Sequence, residues 1–251
     1  MTERVTKVAV LGAYGKLGSA IVAGLEASPG IDLVASIGSR DPLSTILEAG
    51  AEVVVDVTTP DAVMGNLDFA ISHGLHAVVG TTGFDEGRIK ALNGLLAARK
   101  EVGVVIAPNF SIGALLMMRF AALAAPHFES VEIVELHHPT KADAPSGTAR
   151  RTAELVGAAR REAGLAAMPD ATTSALDGAR GAEVDGVPVH SVRVRGLVAH
   201  QEVILGGVGE TLTLRHDSLD RAGFVPGVVA GIDGVQRTPG LTVGLEHFLG
   251  L

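Results

Sequence analysis

Twelve residues, from His137 to Thr148, form the densest group of reactive side chains in this chain. The imidazoles of His137 and His138 are followed closely by the ammonium of Lys141. Imidazole titrates near neutral pH and lysine can donate a proton, so these side chains could carry acid–base catalysis. Ser146-Gly147-Thr148 then opens a helical pattern, and the unpaired N–H groups at a helix start attract carboxylates or phosphates. The segment predicts proton transfer to an anionic substrate.

A strand and a helix are predicted to hold this segment. Residues 131–136 have the pattern of a strand, and residues 149–163 have that of a helix. Connections between such elements often carry catalytic residues, because the scaffold fixes their positions. Adjacent side chains on an extended segment point to opposite faces, so we expect His137 and His138 to have different roles.

Two other interpretations of these side chains remain open. A lone histidine at a strand end is commonly a half-buried structural residue, although two histidines and a lysine in one loop favour chemistry. A metal site is the second interpretation. We expect no metal, because no carboxylate or third histidine stands at ligand spacing nearby and Lys141 would repel a cation.

A glycine turn near the amino terminus predicts a nucleotide site. Residues 5–11 are a buried-strand run, and Leu17, Ile21 and Leu25 start a helix pattern. Between them, glycines would let the backbone approach a pyrophosphate at the helix start. The turn spells Gly12-Ala13-Tyr14-Gly15-Lys16-Leu17-Gly18, with Tyr14 at the usual position of the second glycine. Tight packing without a ligand is the alternative explanation.

The end of the second predicted strand bears on which dinucleotide is used. NAD-selective sites usually place a carboxylate there, whereas this chain has Gly38-Ser39-Arg40. The Ser39 hydroxyl and the Arg40 guanidinium could bind a 2′-phosphate. We therefore expect NADPH, NADH or both as cofactor, with NADPH favoured. The alternative is a solvated Arg40 paired with Asp41.

Two further predicted strand ends lie at the same edge of the sheet, the carboxyl edge where open α/β sheets bind ligands. They are Gly80-Thr81-Thr82 and Ala107-Pro108-Asn109-Phe110. Threonine and asparagine there could contact the nicotinamide ribose or carboxamide. Without the histidine–lysine segment, ordinary turn and cap residues would be the better interpretation.

The order of elements predicts the fold class as α/β. Up to residue 107, apolar strands alternate with helices, which indicates a Rossmann-like, doubly wound parallel sheet. Residues 1–108 would form a dinucleotide-binding domain, completed by residues 218–251. Residues 109–217 would form an α+β substrate-binding and oligomerisation domain with a mixed or antiparallel sheet. In that domain, consecutive strands after residue 187 predict an antiparallel meander, and residues 168–186 predict a long loop.

Composition narrows the range of partners. The formal charge of −8 argues against general binding to nucleic acid or an anionic membrane. Without cysteine the chain has no disulfide framework and no thiolate nucleophile. No apolar stretch is predicted to span a bilayer, and no signal core opens the sequence. We expect a soluble, cytoplasmic protein.

On these residues the chain closely resembles the dihydrodipicolinate reductase family. The likeness runs from the glycine turn to the carboxyl terminus, and residues 80–84, 107–110 and especially the long signature at 135–148 carry it. The resemblance implies NAD(P)H-dependent reduction of 4-hydroxy-tetrahydrodipicolinate or dihydrodipicolinate to tetrahydrodipicolinate, in the diaminopimelate route of lysine biosynthesis. It also implies a homotetramer built on the sheet of the second domain.

The resemblance further implies roles for the reactive segment. His137 would be the acid–base residue and Lys141 the proton donor. His138, with Ser146, Gly147 and Thr148 at the helix start, would hold the small dicarboxylate substrate. Departures from the family pattern lie at the cofactor end, where Tyr14 replaces a common glycine or lysine and Gly38 an acidic residue.

Two other functions compete with this one. A nucleotide sensor without catalysis would need the glycine turn but not His137 and Lys141. A different NADP-dependent reductase with the same two-domain plan would usually carry another catalytic loop. Where that loop depends on a cysteine nucleophile, as in semialdehyde dehydrogenases, the absence of cysteine excludes it.

Overall fold

The structure is a computed structural model that describes residues 5–251, and these residues divide into two compact units. The first unit contains the residues up to Ile112 together with Arg221–Leu251, and the second is Gly113–Asp220. The chain thus passes between units at 112/113 and 220/221. These positions lie four and three residues after the ends of the expected ranges 1–108 and 109–217.

The elements are labelled in chain order. The strands are β1 (Thr6–Leu11), β2 (Ile31–Ile37), β3 (Val53–Asp56), β4 (His76–Val79), β5 (Gly103–Ile106), β6 (Ser130–His137), β7 (Ala182–Val184), β8 (Val187–Arg193), β9 (Ala199–Gly207), β10 (Glu210–Ser218) and β11 (Gly240–Val243). The α-helices are α1 (Lys16–Glu26), α2 (Ser44–Glu48), α3 (Val63–Ser72), α4 (Glu86–Ala97), α5 (Ile112–Ala124), α6 (Gly147–Glu162), α7 (Val225–Val235) and α8 (Glu246–Leu249). Short 3₁₀ helices cover Ala125–His127 and Arg221–Phe224.

The first unit is built on a parallel sheet with the strand order β11-β5-β4-β3-β1-β2. In β3 and β5 every residue is buried. Successive side chains of a strand point to opposite faces, so burial of all of them requires helices on both faces. The prediction of a doubly wound, Rossmann-like sheet is confirmed. The carboxyl-terminal β11 completes this sheet by pairing with β5.

The strand order reverses at β1, which lies between β2 and β3. Such a reversal leaves a crevice at the carboxyl ends of the strands, where open α/β sheets bind ligands. Gly12 follows β1 at this point with φ of 80°. A Cβ on Gly12 would lie 2.7 Å from the Val57 carbonyl oxygen. Glycine is therefore required both by the backbone conformation and by the close approach of the loop after β3.

The second unit contains a mixed sheet with the order β10-β9-β6-β8-β7, over which α6 contacts β6, β7 and β8. β6 and β8 are parallel, and the other neighbouring strands are antiparallel. The predicted mixed sheet is confirmed. The predicted meander is correct only for the antiparallel neighbours β9 and β10, since β6 lies between the consecutive strands β8 and β9. Residues 194–198 connect these two strands, and five residues can cover the roughly 10 Å between second-neighbour strands.

The expected long loop at residues 168–186 was also partly wrong. It contains the short strand β7, which pairs with β8 at the edge of the sheet. Ala182 and Glu183 are exposed, and glycines stand at 178, 181 and 186, so neither hydrophobic alternation nor length marks this strand in the sequence.

Candidate active site

The reactive segment begins at the end of β6, a strand whose alternate residues Val131, Ile133 and Glu135 are buried. His137 continues this alternation. The chain then forms a loop, with a cis peptide bond between Ala144 and Pro145, and enters α6 at Gly147. Ser146 is the N-cap of α6, and its hydroxyl accepts a hydrogen bond from the Ala149 N–H at 3.2 Å. The side chain of Ser146 thus stabilises the helix start.

A buried carboxylate, Glu135, organises the site. Its side chain is fully buried and accepts two hydrogen bonds of 2.8 Å from the Arg193 guanidinium. It also contacts His137 Nδ1 at 2.5 Å and accepts from the Ser146 N–H at 3.2 Å. Burial alone would raise the pKa of Glu135, but the hydrogen bonds from Arg193, Ser191 and His137 outweigh it and leave that pKa below its usual value.

Sequence reasoning missed both Glu135 and Arg193. The expectation that no carboxylate stands near the histidines was wrong, because Glu135 lies two residues before His137 on the same face of β6. The signal was present: a glutamate at a buried position of an alternating strand needs a partner. The partner itself, Arg193 on β8, could not be found without the pairing of β6 with β8. Within residues 5–251, no group of three His, Cys, Asp or Glu residues is arranged to hold a metal ion.

The hydrogen bond to Glu135 fixes the state of His137. An ionised carboxylate can only accept, so the Nδ1 atom of His137 must donate. In the neutral ring, Nε2 then carries no proton. Burial lowers the pKa of His137; the Glu135 carboxylate opposes this effect, and the charges of Lys141 and Arg193 add to it. The net pKa lies below the ordinary value, so His137 is mainly neutral at neutral pH.

Lys141 and His138 have separate partners in the loop. The ammonium of Lys141 contacts the Asp143 carboxylate at 2.8 Å, and His138 Nδ1 is 2.8 Å from the Thr140 hydroxyl. The hydrogen bond from Lys141 holds the pKa of Asp143 below its usual value, and the Gly147 N–H adds to this effect. One carboxylate is therefore held jointly by Lys141 and by the start of α6. Both donors therefore act on the same carboxylate.

The first unit has a cleft of about 670 Å³ at the reversal of strand order. Of the residues predicted to bind a cofactor, Gly12, Tyr14, Gly15, Gly38 and Ser39 line it. Thr58, Thr59 and Asn66, which the sequence did not suggest, line it as well. The neighbouring helix α1 begins after Gly15 without a side-chain cap. Its first N–H groups thus lack a side-chain acceptor, as expected where a phosphate binds.

Other predicted cofactor residues have different surroundings. Ala13 is buried behind the glycine turn, whereas Lys16 is exposed and Leu17 half-buried at the start of α1. Thr82 and Pro108 are exposed and Gly80 is half-buried. Ala107 and Phe110 are buried, and a Cβ on Gly80 would lie 2.4 Å from the Phe110 ring. Asn109 accepts a hydrogen bond from the Ser111 N–H at 2.8 Å.

Asp56 links two of these strand ends, a role that sequence analysis did not indicate. It ends β3, is 1% exposed, and accepts hydrogen bonds from the Thr58 hydroxyl at 2.7 Å and the Asn66 amide at 2.8 Å. It also accepts one from the Thr81 hydroxyl at 3.0 Å. The Thr81 side chain therefore fixes the loop after β4 to the end of β3.

The Tyr14 ring packs directly against Gly38. A Cβ on Gly38 would lie 2.7 Å from the Tyr14 ring, and the Tyr14 hydroxyl donates to the Ser36 carbonyl at 3.2 Å. The Gly38 N–H donates to the Asp41 carboxylate at 2.8 Å. Arg40 is exposed, and among the described residues it forms no ion pair with Asp41 or any other carboxylate. Its guanidinium is thus available to a ligand.

Both halves of the chain match one family. Residues 6–110 match the family described as "Dihydrodipicolinate reductase, N-terminus", and residues 113–249 match "Dihydrodipicolinate reductase, C-terminus". The chain belongs to the dihydrodipicolinate reductase family. The resemblance found in the sequence is confirmed. None of the helices in the described part of the chain is long and apolar enough to cross a membrane.

Relatives with assigned names are similar over nearly the whole chain. A 4-hydroxy-tetrahydrodipicolinate reductase of Streptomyces avermitilis is 63% identical over 98% of both chains. A protein of the same name from Nocardia farcinica is 61% identical over 98% of this chain and 99% of its own. A dipicolinate-bound dihydrodipicolinate reductase from Paenisporosarcina sp. TG-14 has a TM-score of 0.87 at 36% identity, covering 97% of this chain and 99% of that one.

More distant structures share the fold. An engineered D-amino acid dehydrogenase bound to NADP+ has a TM-score of 0.56 at 16% identity, over 98% of this chain and 96% of that one. At this identity the likeness shows the fold alone.

Proposed function

We propose that this chain reduces the dehydrated, cyclic imine form of 4-hydroxy-tetrahydrodipicolinate to tetrahydrodipicolinate with NADPH or NADH, in the cytoplasm and within lysine biosynthesis. The observation that carries the proposal is the group of His137, Lys141 and the start of α6 in the signature loop. These parts match the reaction, which needs a proton and a site for carboxylates. The names of the relatives supply the specific substrate.

The carboxylates of the substrate bind at the donors that hold Asp143. Lys141 has three N–H donors, so it can share its ammonium between Asp143 and a substrate carboxylate. The N–H groups of Gly147 and Thr148, with the Thr148 hydroxyl and His138, supply the remaining donors. Ser146 contributes through its cap, which keeps the first turn of α6 in place. The dipole of the sixteen-residue helix α6 favours the negative charge.

Lys141 supplies the proton in this proposal. Negative charge develops on the imine ring during reduction, and the ammonium neutralises it. The lowered pKa of His137 makes its imidazole mainly neutral, with Nε2 free to accept a hydrogen bond. His137 therefore acts as the acceptor that orients the substrate. The two side chains have complementary roles.

The first unit holds the dinucleotide. Gly12 and Gly15 leave the backbone room that a Cβ would fill, and the uncapped start of α1 provides N–H groups for a pyrophosphate. The loops at residues 80–82 and 107–110 lie at the carboxyl edge of the sheet and flank the nicotinamide end. When bound, the reduced nicotinamide supplies the hydride.

An assay with the preceding synthase tests the function. The synthase generates the 4-hydroxy compound, and loss of reduced-nicotinamide absorbance reports its reduction. We expect turnover that requires both substrate and cofactor. A protein that binds NADPH but does not oxidise it under these conditions would be a nucleotide sensor instead.

We predict that NADPH is used at least as well as NADH. Arg40 and Ser39 offer charge-assisted contacts to a 2′-phosphate, worth on the order of 1.5–3 kcal/mol each. Arg40→Gly should lower the ratio of kcat/KM for NADPH over NADH by about 10-fold or more. Arg99→Gly, which removes an exposed arginine elsewhere in the first unit, should leave the ratio unchanged. A parent enzyme that clearly prefers NADH, with a ratio that Arg40→Gly does not move, would place Arg40 in solvent.

The Tyr14–Gly38 contact determines which substitutions should shift the cofactor preference from NADPH to NADH. An aspartate at position 38 could repel a 2′-phosphate, but its Cβ would collide with the Tyr14 ring. We expect Gly38→Asp with Arg40→Gly to need Tyr14→Gly before the preference shifts fully to NADH. The same kcat/KM ratio, measured for the double and triple variants, checks this expectation.

The enzyme forms a homotetramer in this proposal. The edge strand β10 is exposed over most of its length, and an exposed strand of nine residues is a template for association with another chain. We predict a solution mass near 102 kDa, four times the chain mass of 25.6 kDa. Multi-angle light scattering measures it, and Thr213→Pro on β10 should lower the mass, whereas Thr173→Pro in the exposed loop should not. A monomeric parent would contradict the proposal.

A further inference from the structure

Glu135 connects four parts of the second unit through one buried carboxylate. Oε1 accepts from Arg193 on β8 and from the Ser146 N–H at the start of α6. Oε2 accepts from Arg193 and contacts His137 at the end of β6. Arg193 also donates to the Asp143 carbonyl at 2.7 Å, so it reaches the loop that carries Lys141.

We propose that Glu135 and Arg193 are positioning residues for the reductase reaction: Glu135 fixes the His137 tautomer, and Arg193 fixes Glu135 and the Lys141 loop. This inference rests on the proposed function. Neither residue needs to touch the substrate, because each acts through a neighbour. Fixed partners of this kind set the proton position and ring orientation of an imidazole.

The hydrogen-bond geometry requires a carboxylate at position 135. Each oxygen accepts from Arg193, and each also has at least one further partner. A glutamine has one oxygen and one NH₂ group, so it cannot accept from both arms of the guanidinium and from His137. If the NH₂ group faces His137, the ring must accept at Nδ1, and its proton moves to Nε2. Glu135→Gln therefore disturbs the tautomer while preserving size and shape.

The charges around His137 have opposing effects on its titration. Glu135 raises the pKa of His137, whereas burial, Lys141 and Arg193 lower it. Asp143 is paired with Lys141 and opposes part of the effect of that lysine. Removing the charge of Glu135 should lower the pKa of His137 further, and removing the charge of Arg193 should raise it. A general folding defect would not produce shifts of opposite sign.

The chain provides a matched control on the same strand. Glu132, on the opposite face of β6, also contacts an arginine and a histidine: Arg180 at 2.5 Å and His190 at 2.7 Å. Glu132→Gln therefore removes a carboxylate from a similar cluster without touching His137.

Nitrogen-15 NMR of labelled histidine tests the tautomer directly. In the substrate-free parent protein, above the pKa of His137, we expect a proton on Nδ1 and none on Nε2. Glu135→Gln should shift the proton to Nε2 or mix the two forms, and Glu132→Gln should leave the His137 signals unchanged. Signals showing Nε2–H in the parent would overturn the inference. This measurement needs no catalysis, so it remains decisive even if the proposed function fails.

The pH profile of kcat/KM tests the consequence for reaction. Activity that needs neutral His137 declines as the pH falls through the pKa of His137. This decline is the acid limb of the pH profile. We expect Glu135→Gln to lower kcat/KM about 10–100-fold at neutral pH and to move this acid limb to lower pH. Arg193→Met should move it to higher pH, and Arg193→Lys should leave it near the parent position because the charge remains. Variants that lose activity with an unmoved acid limb would reduce Glu135 and Arg193 to structural residues.

Discussion

Lys141→Ala should lower kcat about 10²–10⁴-fold, the usual contribution of a general acid. The ammonium shares the Asp143 carboxylate with the Gly147 N–H at the start of α6. Its removal takes away both the proton and half of the carboxylate site. We therefore expect KM for the dicarboxylate to rise as well, whereas the affinity for NADPH should stay within about twofold of the parent. Steady-state kinetics and a fluorescence titration of NADPH measure these quantities.

Lys90→Ala serves as the control for Lys141→Ala. Lys90 is an exposed lysine on α4 in the first unit, and its loss should leave kcat unchanged. Near-parental turnover of Lys141→Ala would remove this residue from the mechanism. Loss of NADPH binding together with turnover would instead point to a general folding defect.

Gly18→Ala should destabilise the first unit by about 1–3 kcal/mol or more and weaken NADPH binding. Gly18 is buried in the first turns of α1, and a Cβ there would lie 2.0 Å from the Gly12 carbonyl oxygen. The atom it meets is backbone, so the contact can be relieved only by moving α1 away from the glycine turn. This movement would open the pyrophosphate site. Thermal unfolding with and without NADPH measures both effects.

Gly94→Ala is a matched substitution in α4. A Cβ on Gly94 would meet nothing within 4 Å, so the alanine should stabilise the helix by roughly 0.5–1 kcal/mol. Equal stability of the two variants would show that α1 and the glycine turn are not held as closely as the structure places them.

Local patterns in the sequence were enough to predict the first unit. Strands such as β3 and β5 are apolar at nearly every position, and helices lie between most of them, so a parallel sheet with both faces covered is the physical solution. The glycine turn also lies where its spacing indicated. The contact of Tyr14 with Gly38 could not be predicted from the sequence, because it depends on how β1 and β2 lie side by side.

In the second unit, strand identity was more predictable than strand order. β8, β9 and β10 lie from residue 187 onwards, where consecutive strands were expected. The insertion of β6 between β8 and β9 depends on long-range pairing, which no local pattern indicates. Arg193 was missed because its contact with Glu135 also depends on long-range strand pairing. Glu135 and Arg193 are 58 residues apart, and only the pairing of β6 with β8 brings them together. The hydrogen bond between Thr81 and Asp56, which are 25 residues apart, was missed for the same reason.

β11, which completes the first sheet, is the last of its strands to be translated. Gly103 of β5 pairs with Gly240, 137 residues later, so β5 cannot acquire its outer neighbour until β11 has left the ribosome. By then the second unit has been synthesised completely, since it ends at Asp220. During translation the nascent first unit therefore carries an open apolar edge while its neighbour can already fold. Nascent chains arrested before residue 240 should bind chaperones, and chains released after β11 should escape them.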